Sequence, residues 1–343
     1  MIVIKMMSVE FTTDNIIYEF HVSGCDYLGL YTYKNNEVKK LYELADESYW
    51  IGNISNDSNW VLLGMADEWL FHMSIFNILS KKRYFIGDEI SVGSIEDAYI
   101  DDKYAVFCSE NKLKYICLKS ITSDDIVLQE SILLDELVCK VLAFNKTSDN
   151  NYSCIVKGKE SIFLVILDSM MNSINTFNLP IDVNNNIYGD FYWLDDHILG
   201  LNAEDEDGKS TTYFFNLNTN EVIDEYQNSR IVSCDNTLHR IIIFDKGASV
   251  FNVLNTKLDL INSFILPGEF YYRLYSDLVI WNNINEFLII QDNEYIVSFN
   301  IHNKETNVYN IEEHNFSILK GVENNQLLIT NTQRIQNEEP FNW

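Results

Sequence analysis

The chain has 343 residues, 47% of them hydrophobic and 13% aromatic, with 51 acids against 24 bases and a formal charge of -27. That apolar content builds a large core and excludes a disordered chain, and the 20 Tyr and 20 Phe favour strands over helices. So negative a surface repels a phosphate backbone, which excludes nucleic acid as a partner.

The chain begins MIVIKMMSVEF, too short an apolar run for a secretory signal. No stretch approaches the roughly 20 apolar residues of a membrane span. MIVIK reads as a strand with no partner in its own neighbourhood. After it two hairpin patterns alternate. The first is a strand, an Asp- and Asn-rich turn and a more apolar strand: FTTDNIIYEF (11–20), SNDSNWVLLG (55–64), YIDDKYAVF (99–107), FNKTSDNNYSCIV (144–156), WLDDHILGL (193–201), VSCDNTLHRIIIF (232–244), WNNINEFLII (281–290) and VENNQLLIT (322–330). The second is an apolar residue, Asn and another apolar residue before a polar turn. It stands at Phe76, Phe215, Phe251 and Phe299, in weaker form at Tyr31, Ile116 and Val165, and closes the chain as FNW from Phe341.

Spacings of 36 to 50 residues between copies mark a repeat. Each unit predicts two hairpins, hence four antiparallel strands A, B, C and D, with Asp and Asn where a turn needs a residue tolerant of positive φ. Four strands per unit of this length are propeller blades. The fold class is therefore all-β: an eight-bladed β-propeller of four-stranded antiparallel blades in a single domain, 1–343. The alternative is seven blades, if the third or fourth unit is not a blade. The last unit ends with its third strand at Trp343, so MIVIK is expected as its outermost strand, closing the ring.

STTYFFNLNTNEV and EYIVSFNIHNKETNV resemble the third and fourth strands of WD-repeat, TolB-type and quinoprotein-type blades. The resemblance spans nearly the whole chain at superfamily level. Departures are clear: the Trp-Asp dipeptide and Gly-His signature of WD repeats are absent, as is the Gly-and-Trp docking pattern of quinoprotein blades. The resemblance thus implies a fold and a widely used binding platform, with no activity or cofactor attached.

Successive hairpins alternate ends, which sorts the turns. Asp101, Asp102, Asp195, Asp196 and His197 fall in A–B turns, where turn chemistry comes first. The stretch AEDEDGKS, 203–210, falls between strands B and C instead. Its end of the blades collects fourteen acids: Asp26, Asp67, Glu68, Glu110, Glu160, Glu204, Asp205, Glu206, Asp207, Asp245, Asp292, Glu294, Glu338 and Glu339. Six bases share those connections: Lys112, Lys157, Lys159, Lys209, Lys246 and Arg334. The D–A connections of the same end add Tyr49, Trp50, Phe270, Tyr271, Tyr272 and Phe316. Rings inside a charged rim suit a protein-binding surface, and equally a plug for the mouth of the propeller.

Chemical motifs are missing. With Gly208 at the sixth position of an EF-hand loop, Ala203 stands where the first ligand belongs and Phe214 where the bidentate Glu belongs. H-E-x-x-H, G-x-S-x-G, G-x-G-x-x-G and Walker A sequences do not occur. Six scattered cysteines without C-x-x-C read as reduced residues of a cytoplasmic protein. The expectation is a non-enzymatic propeller without cofactor or metal. Its acidic face, with Glu204, Asp205, Glu206, Asp207, Asp67, Glu68, Asp292, Glu294, Trp50, Tyr271 and Tyr272 as partner-binding residues, takes a basic protein, as an immunity or antitoxin-type inhibitor or an assembly subunit does. The alternative is a propeller hydrolase or lyase using carboxylates at the central funnel.

Overall fold

The computed structural model describes residues 18–22, 25–27, 29–34, 37–43, 49–55, 59–67, 70–86, 91–92, 98–109, 112–121, 126–131, 138–147, 151–187, 191–235, 239–268, 278–291, 295–310, 316–321 and 327–331. Among them the one helical element is a single 3-10 turn, Leu118–Ser120; the rest of the regular structure is strand. No described helix is long and apolar enough to cross a membrane. By contacts the chain divides into two compact units, Met1–Met65 with Phe76–Arg83 and Tyr272–Trp343, and Ala66–Ile75 with Tyr84–Tyr271.

Six sheets run A-B-C-D in chain order, each strand antiparallel to the next. They cover residues 49–92, 98–131, 138–179, 186–227, 229–265 and 278–310, the first with an added short strand, Ser91–Val92, paired with Leu70–Asn77. In the fourth of these, Asn186–Ile187 and Tyr192–Trp193 both pair with Ile198–Glu204 and share the inner position. The third and fourth sequence units are both complete four-stranded sheets.

The first and last units combine differently from the sequence expectation. Tyr18–Val22 pairs with Cys25–Tyr27 on one side and with Phe316–Gly321 on the other, and Phe316–Gly321 also pairs with Leu327–Asn331. Strands from both ends of the chain thus share one sheet. Gly29–Lys34 and Glu37–Glu43 form a separate two-stranded sheet. The expected partner from the other end, MIVIK, and the closing strand at Trp343 lie outside the described residues. Period-two alternation shows which face a strand buries and says nothing of its neighbour, so pairing between distant units is not in the local pattern.

Within the second unit the middle strands are buried on both faces, which explains their near-continuous apolar runs. In Tyr152–Gly158, Tyr152, Cys154 and Val156 pack with Tyr104, Val106 and Leu113 of the preceding sheet. Ile155, from the opposite face, packs with Leu199, Leu201 and Phe215 of the following one. Phe214 then turns the other way, onto Ile231, Ile241 and Ile243. These last two sheets approach so closely at Gly200 that a Cβ there would lie 2.8 Å from Ile231 Cδ1 and 2.9 Å from Phe214 Cε1.

Polar groups in the seams are matched across sheets. The pairing of Ile231–Ser233 shifts register, and the freed backbone is met by Asn202: its Nδ2 donates to Ile231 O at 3.0 Å and its Oδ1 accepts from Ile231 N at 2.8 Å. Between the preceding pair of sheets, Asn145 Nδ2 donates to Phe191 O at 3.0 Å and Trp193 Nε1 to Ser153 Oγ at 3.0 Å. The same device recurs at Asp101. Only 1% exposed, it accepts from Lys103 N (2.8 Å) and Tyr104 N (2.7 Å) through Oδ1, and from the Tyr152 hydroxyl of the next sheet (2.6 Å) through Oδ2. Lys146 Nζ stands 3.5 Å from that second oxygen. Burial, then the bond to Asp101, drives the Tyr152 phenol far above its ordinary range, so it stays a donor.

The turns follow a division of labour that differs from the expected one. Asn77, Asp168, Asn216, Asn255 and Asn300 open C–D turns, and each side chain accepts backbone N–H groups ahead of it. The positive φ falls four or three residues later, on Lys81, Met171, Asn220, Leu258 and Lys304. Of these only Asn220 is of the type the sequence pattern assigns to that geometry. The capping residue of FNVLNTK is Asn255, so Leu254, not Phe251, is the counterpart of Phe76, Phe215 and Phe299.

Two stability experiments follow in urea unfolding. Asp101→Ala, which leaves the Tyr152 hydroxyl and Lys146 without their buried acceptor, is expected to cost about 3 kcal/mol or more, against about 1 to 2 for Tyr152→Phe. At the exposed turn, Lys304→Gly is expected to stabilise by roughly 0.5 to 1 kcal/mol by relieving its φ of 61°. Asn300→Ala, which removes the cap, is expected to destabilise by about 1 kcal/mol.

Candidate functional site

Ile198–Glu204 and Ser210–Asn216 are consecutive antiparallel strands, with Glu204 opposite Ser210. The acidic stretch is therefore the B–C turn of its sheet. Asp195, in the A–B turn, lies at the other end of the same strand, where its Oδ1 accepts from His197 N and Ile198 N at 2.7 Å each. The two acidic groups thus occupy opposite ends, as alternating hairpins require.

The four acids of 204–207 do three different things. Asp205 holds the turn: its Oδ1 accepts from Asp207 N at 3.1 Å and Lys209 N at 2.8 Å, while its carbonyl accepts from Gly208 N at 3.0 Å. Gly208 supplies the left-handed residue, with φ 78°. Glu204 leans inward, its Oε2 3.5 Å from Ser210 Oγ, which accepts a bond of 2.6 Å from Lys246 Nζ. Burial pushes the Lys246 amine down, and the Glu204 charge works against that shift. Glu206 and Asp207 are exposed at the tip, and Lys209 turns away to Gln227 Oε1 at 3.0 Å.

The next B–C turn repeats this use of carboxylate. Asp245 Oδ1 accepts from Gly247 N at 2.8 Å and Ala248 N at 3.1 Å. Across the second unit the described members of the acidic rim are Asp67, Glu160, Glu204, Asp205, Glu206, Asp207 and Asp245, and they share it with Lys112, Lys157, Lys159, Lys209 and Lys246. Here the rim is mixed in sign, and its exposed acids are Glu160 and the adjacent pair Glu206 and Asp207. The Asx bonds that occupy Asp205 and Asp245 were signalled by the Gly two or three residues on, in D-E-D-G and D-K-G.

Of the remaining expected partner-binding residues, Trp50 and Asp67 belong to the paired strands Tyr49–Ile54 and Trp60–Asp67 and come at the B–C end of their sheet. Trp50 is the second residue of a strand opposite Gly64, not part of a connection. Asp26 likewise sits inside Cys25–Tyr27, opposite His21. Glu68, Tyr271, Tyr272, Asp292 and Glu294 lie outside the described residues. Among the described residues no group of three His, Cys, Asp or Glu side chains is placed to hold a metal ion.

Solved structures share this architecture. The computationally designed Ika8 protein superposes with a TM-score of 0.58 at 11% identity, over 94% of this chain and 95% of that one. The Dos1 propeller gives 0.53 at 10% identity, over 88% and 81%. Hsv2 of Kluyveromyces lactis gives 0.51 at 10% identity, over 87% and 98%. The fold is a β-propeller. No protein-family model matches this propeller sequence, and no curated protein does.

The turn geometry of the propeller separates structural from free acids by experiment. Asp205→Ala is expected to lower stability by about 1 kcal/mol through loss of the turn bonds. The pair Glu206→Gln and Asp207→Asn is expected to stay within about 0.5 kcal/mol of the parent, as exposed substitutions do. Urea midpoints at constant slope are the measurement.

Proposed function

We propose that the chain is a non-enzymatic propeller of eight blades whose B–C end binds a basic protein. The observation that carries this reading is the exposed pair Glu206 and Asp207, held forward on a turn whose backbone is fixed by Asp205 and Gly208. A charge carried on a preorganised turn loses little entropy on contact, and the chain's charge of -27 draws a cation toward it from a distance. Trp50, Tyr271 and Tyr272 are the proposed aromatic anchors, with Asp67, Glu68, Asp292 and Glu294 completing the rim. Six complete sheets, the sheet shared by the two ends of the chain, and the Gly29–Lys34 and Glu37–Glu43 pair support a count of eight. An immunity-type inhibitor of a cationic toxin and a subunit of a larger assembly both use such a surface.

The test begins with a protein captured from the native host and identified by mass spectrometry. Its association rate is measured with the parent chain and with the Glu206→Gln, Asp207→Asn variant. At low salt the variant is expected to associate about three- to tenfold more slowly, and near 0.5 M salt the two rates converge. Equal rates at low salt remove the electrostatic part of the proposal.

A further inference from the structure

The chain contains 13 glycines, and Gly208 alone follows an Asp or Asn. At such a step the backbone closes on an aspartyl side chain most readily, because glycine has no Cβ to hinder the approach of its nitrogen to the Asp Cγ. Asp207 and Gly208 are both exposed at the tip of the B–C turn. A Cβ built on Gly208 would meet one atom, Glu204 Oε1, at 3.7 Å, so the step is also uncrowded.

Three successive amides around this bond are held by a single residue. Asp207 N donates to Asp205 Oδ1 at 3.1 Å, Gly208 N to Asp205 O at 3.0 Å and Lys209 N to Asp205 Oδ1 at 2.8 Å. The Gly208 nitrogen is the nucleophile of ring closure, and here its proton is engaged while the peptide planes on both sides are pinned. To reach Asp207 Cγ it must leave Asp205 O and the turn must open. Exposure and chemistry invite the reaction; the turn bonds withhold it.

We propose that Asp207–Gly208 is an isoaspartate-forming site held latent by Asp205. Once the turn opens, the Gly208 nitrogen attacks Cγ of the neutral Asp207 carboxyl. Its proton and the carboxyl hydroxyl leave as one water, and a cyclic imide remains. Water then adds back to either imide carbonyl. Opening at Cγ restores aspartate; opening at the main-chain carbonyl leaves the chain running through Cβ and Cγ, with the carboxylate on Cα. The isomer keeps one carboxylate, so the formal charge stays at -27. The main chain gains one atom inside the segment that Asp205 spans, which takes Lys209 N out of its present register with Asp205 Oδ1. No partner enters the reaction, so this proposal stands or falls apart from the binding proposed for the same end.

The folded full chain is incubated in neutral buffer, and isoaspartate at position 207 is quantified by peptide mapping with electron-transfer fragmentation, which separates the isomers of equal mass. The same chain unfolded in guanidinium chloride gives the unguarded rate. The folded parent is expected to convert at least about tenfold more slowly than the unfolded chain, and Asp205→Ala about fivefold or more faster than the folded parent. Asp205→Asn keeps the Oδ1 acceptor and is expected to stay near the parent rate. Asn300→Ala, at a C–D turn of the other unit, has a similar cost in stability and is expected to leave the rate unchanged, which separates local release from general unfolding. Asp207→Glu, whose longer side chain does not close the five-membered ring, is expected to abolish the signal. A parent that converts as fast folded as unfolded overturns the guard. So does an Asp205→Ala chain no faster than the parent, or an equal acceleration in Asn300→Ala. Absence of isoaspartate at 207 even in the unfolded chain overturns the site itself.

Discussion

The middle strands of the second unit are buried on both faces, and this one constraint orders the rest. A strand with apolar neighbours above and below has no solvent to satisfy a misplaced backbone group. Where the ladder shifts at Ile231–Ser233, the side chain of Asn202 from the neighbouring sheet takes both the donor and the acceptor of Ile231. Asn145, Trp193 and the Asp101–Tyr152 pair act on other seams in the same way. Such bonds do more than stabilise, since an unmatched partner in these seams costs the full desolvation of the group left behind. They fix how each sheet is set against the next.

The same burial drives the acids to the ends of the strands, and the backbone there has first use of them. Asp168, Asp195, Asp205 and Asp245 all accept N–H groups of their own turns. Asn172 N–H, as a backbone donor, also holds the Asp168 carboxyl below its usual range. A count of carboxylates therefore overstates the charge free to meet a partner. In the second unit five lysines accompany the seven described acids of the B–C rim. The exposed acids described there are Glu160 and the adjacent pair Glu206 and Asp207, set among the lysines. A local charge of this kind orients an approaching molecule as well as attracting it.

Much of the architecture was legible because hairpins are local. Apolar alternation interrupted by Asp- and Asn-rich turns located the strand pairs from 49 to 310 and put Glu204 and Asp195 at opposite ends of one strand. Three features were hidden for physical reasons. The partner of Tyr18–Val22 is some three hundred residues away in sequence, and alternation carries no long-range register. The burial of Asp101 depends on Tyr152 and Lys146 from the next sheet, while its own neighbourhood, IDDKY, reads as an ordinary turn. Left-handed φ values at Met171, Leu258 and Lys304 are imposed by turns already closed by Asp168, Asn255 and Asn300, so residue type at those sites was a poor guide.

Net charge and edge chemistry act at different ranges, which reconciles an uncharged open strand with so acidic a chain. Beyond about 8 Å in physiological salt the charge is largely screened, so it slows encounters without dictating what happens at contact. At contact the strand itself decides, and Leu260–Ile265 presents exposed apolar side chains where Glu221–Gln227 presents acids. Long-range repulsion between copies is thus one means of keeping an uncharged outer strand from stacking into a fibre.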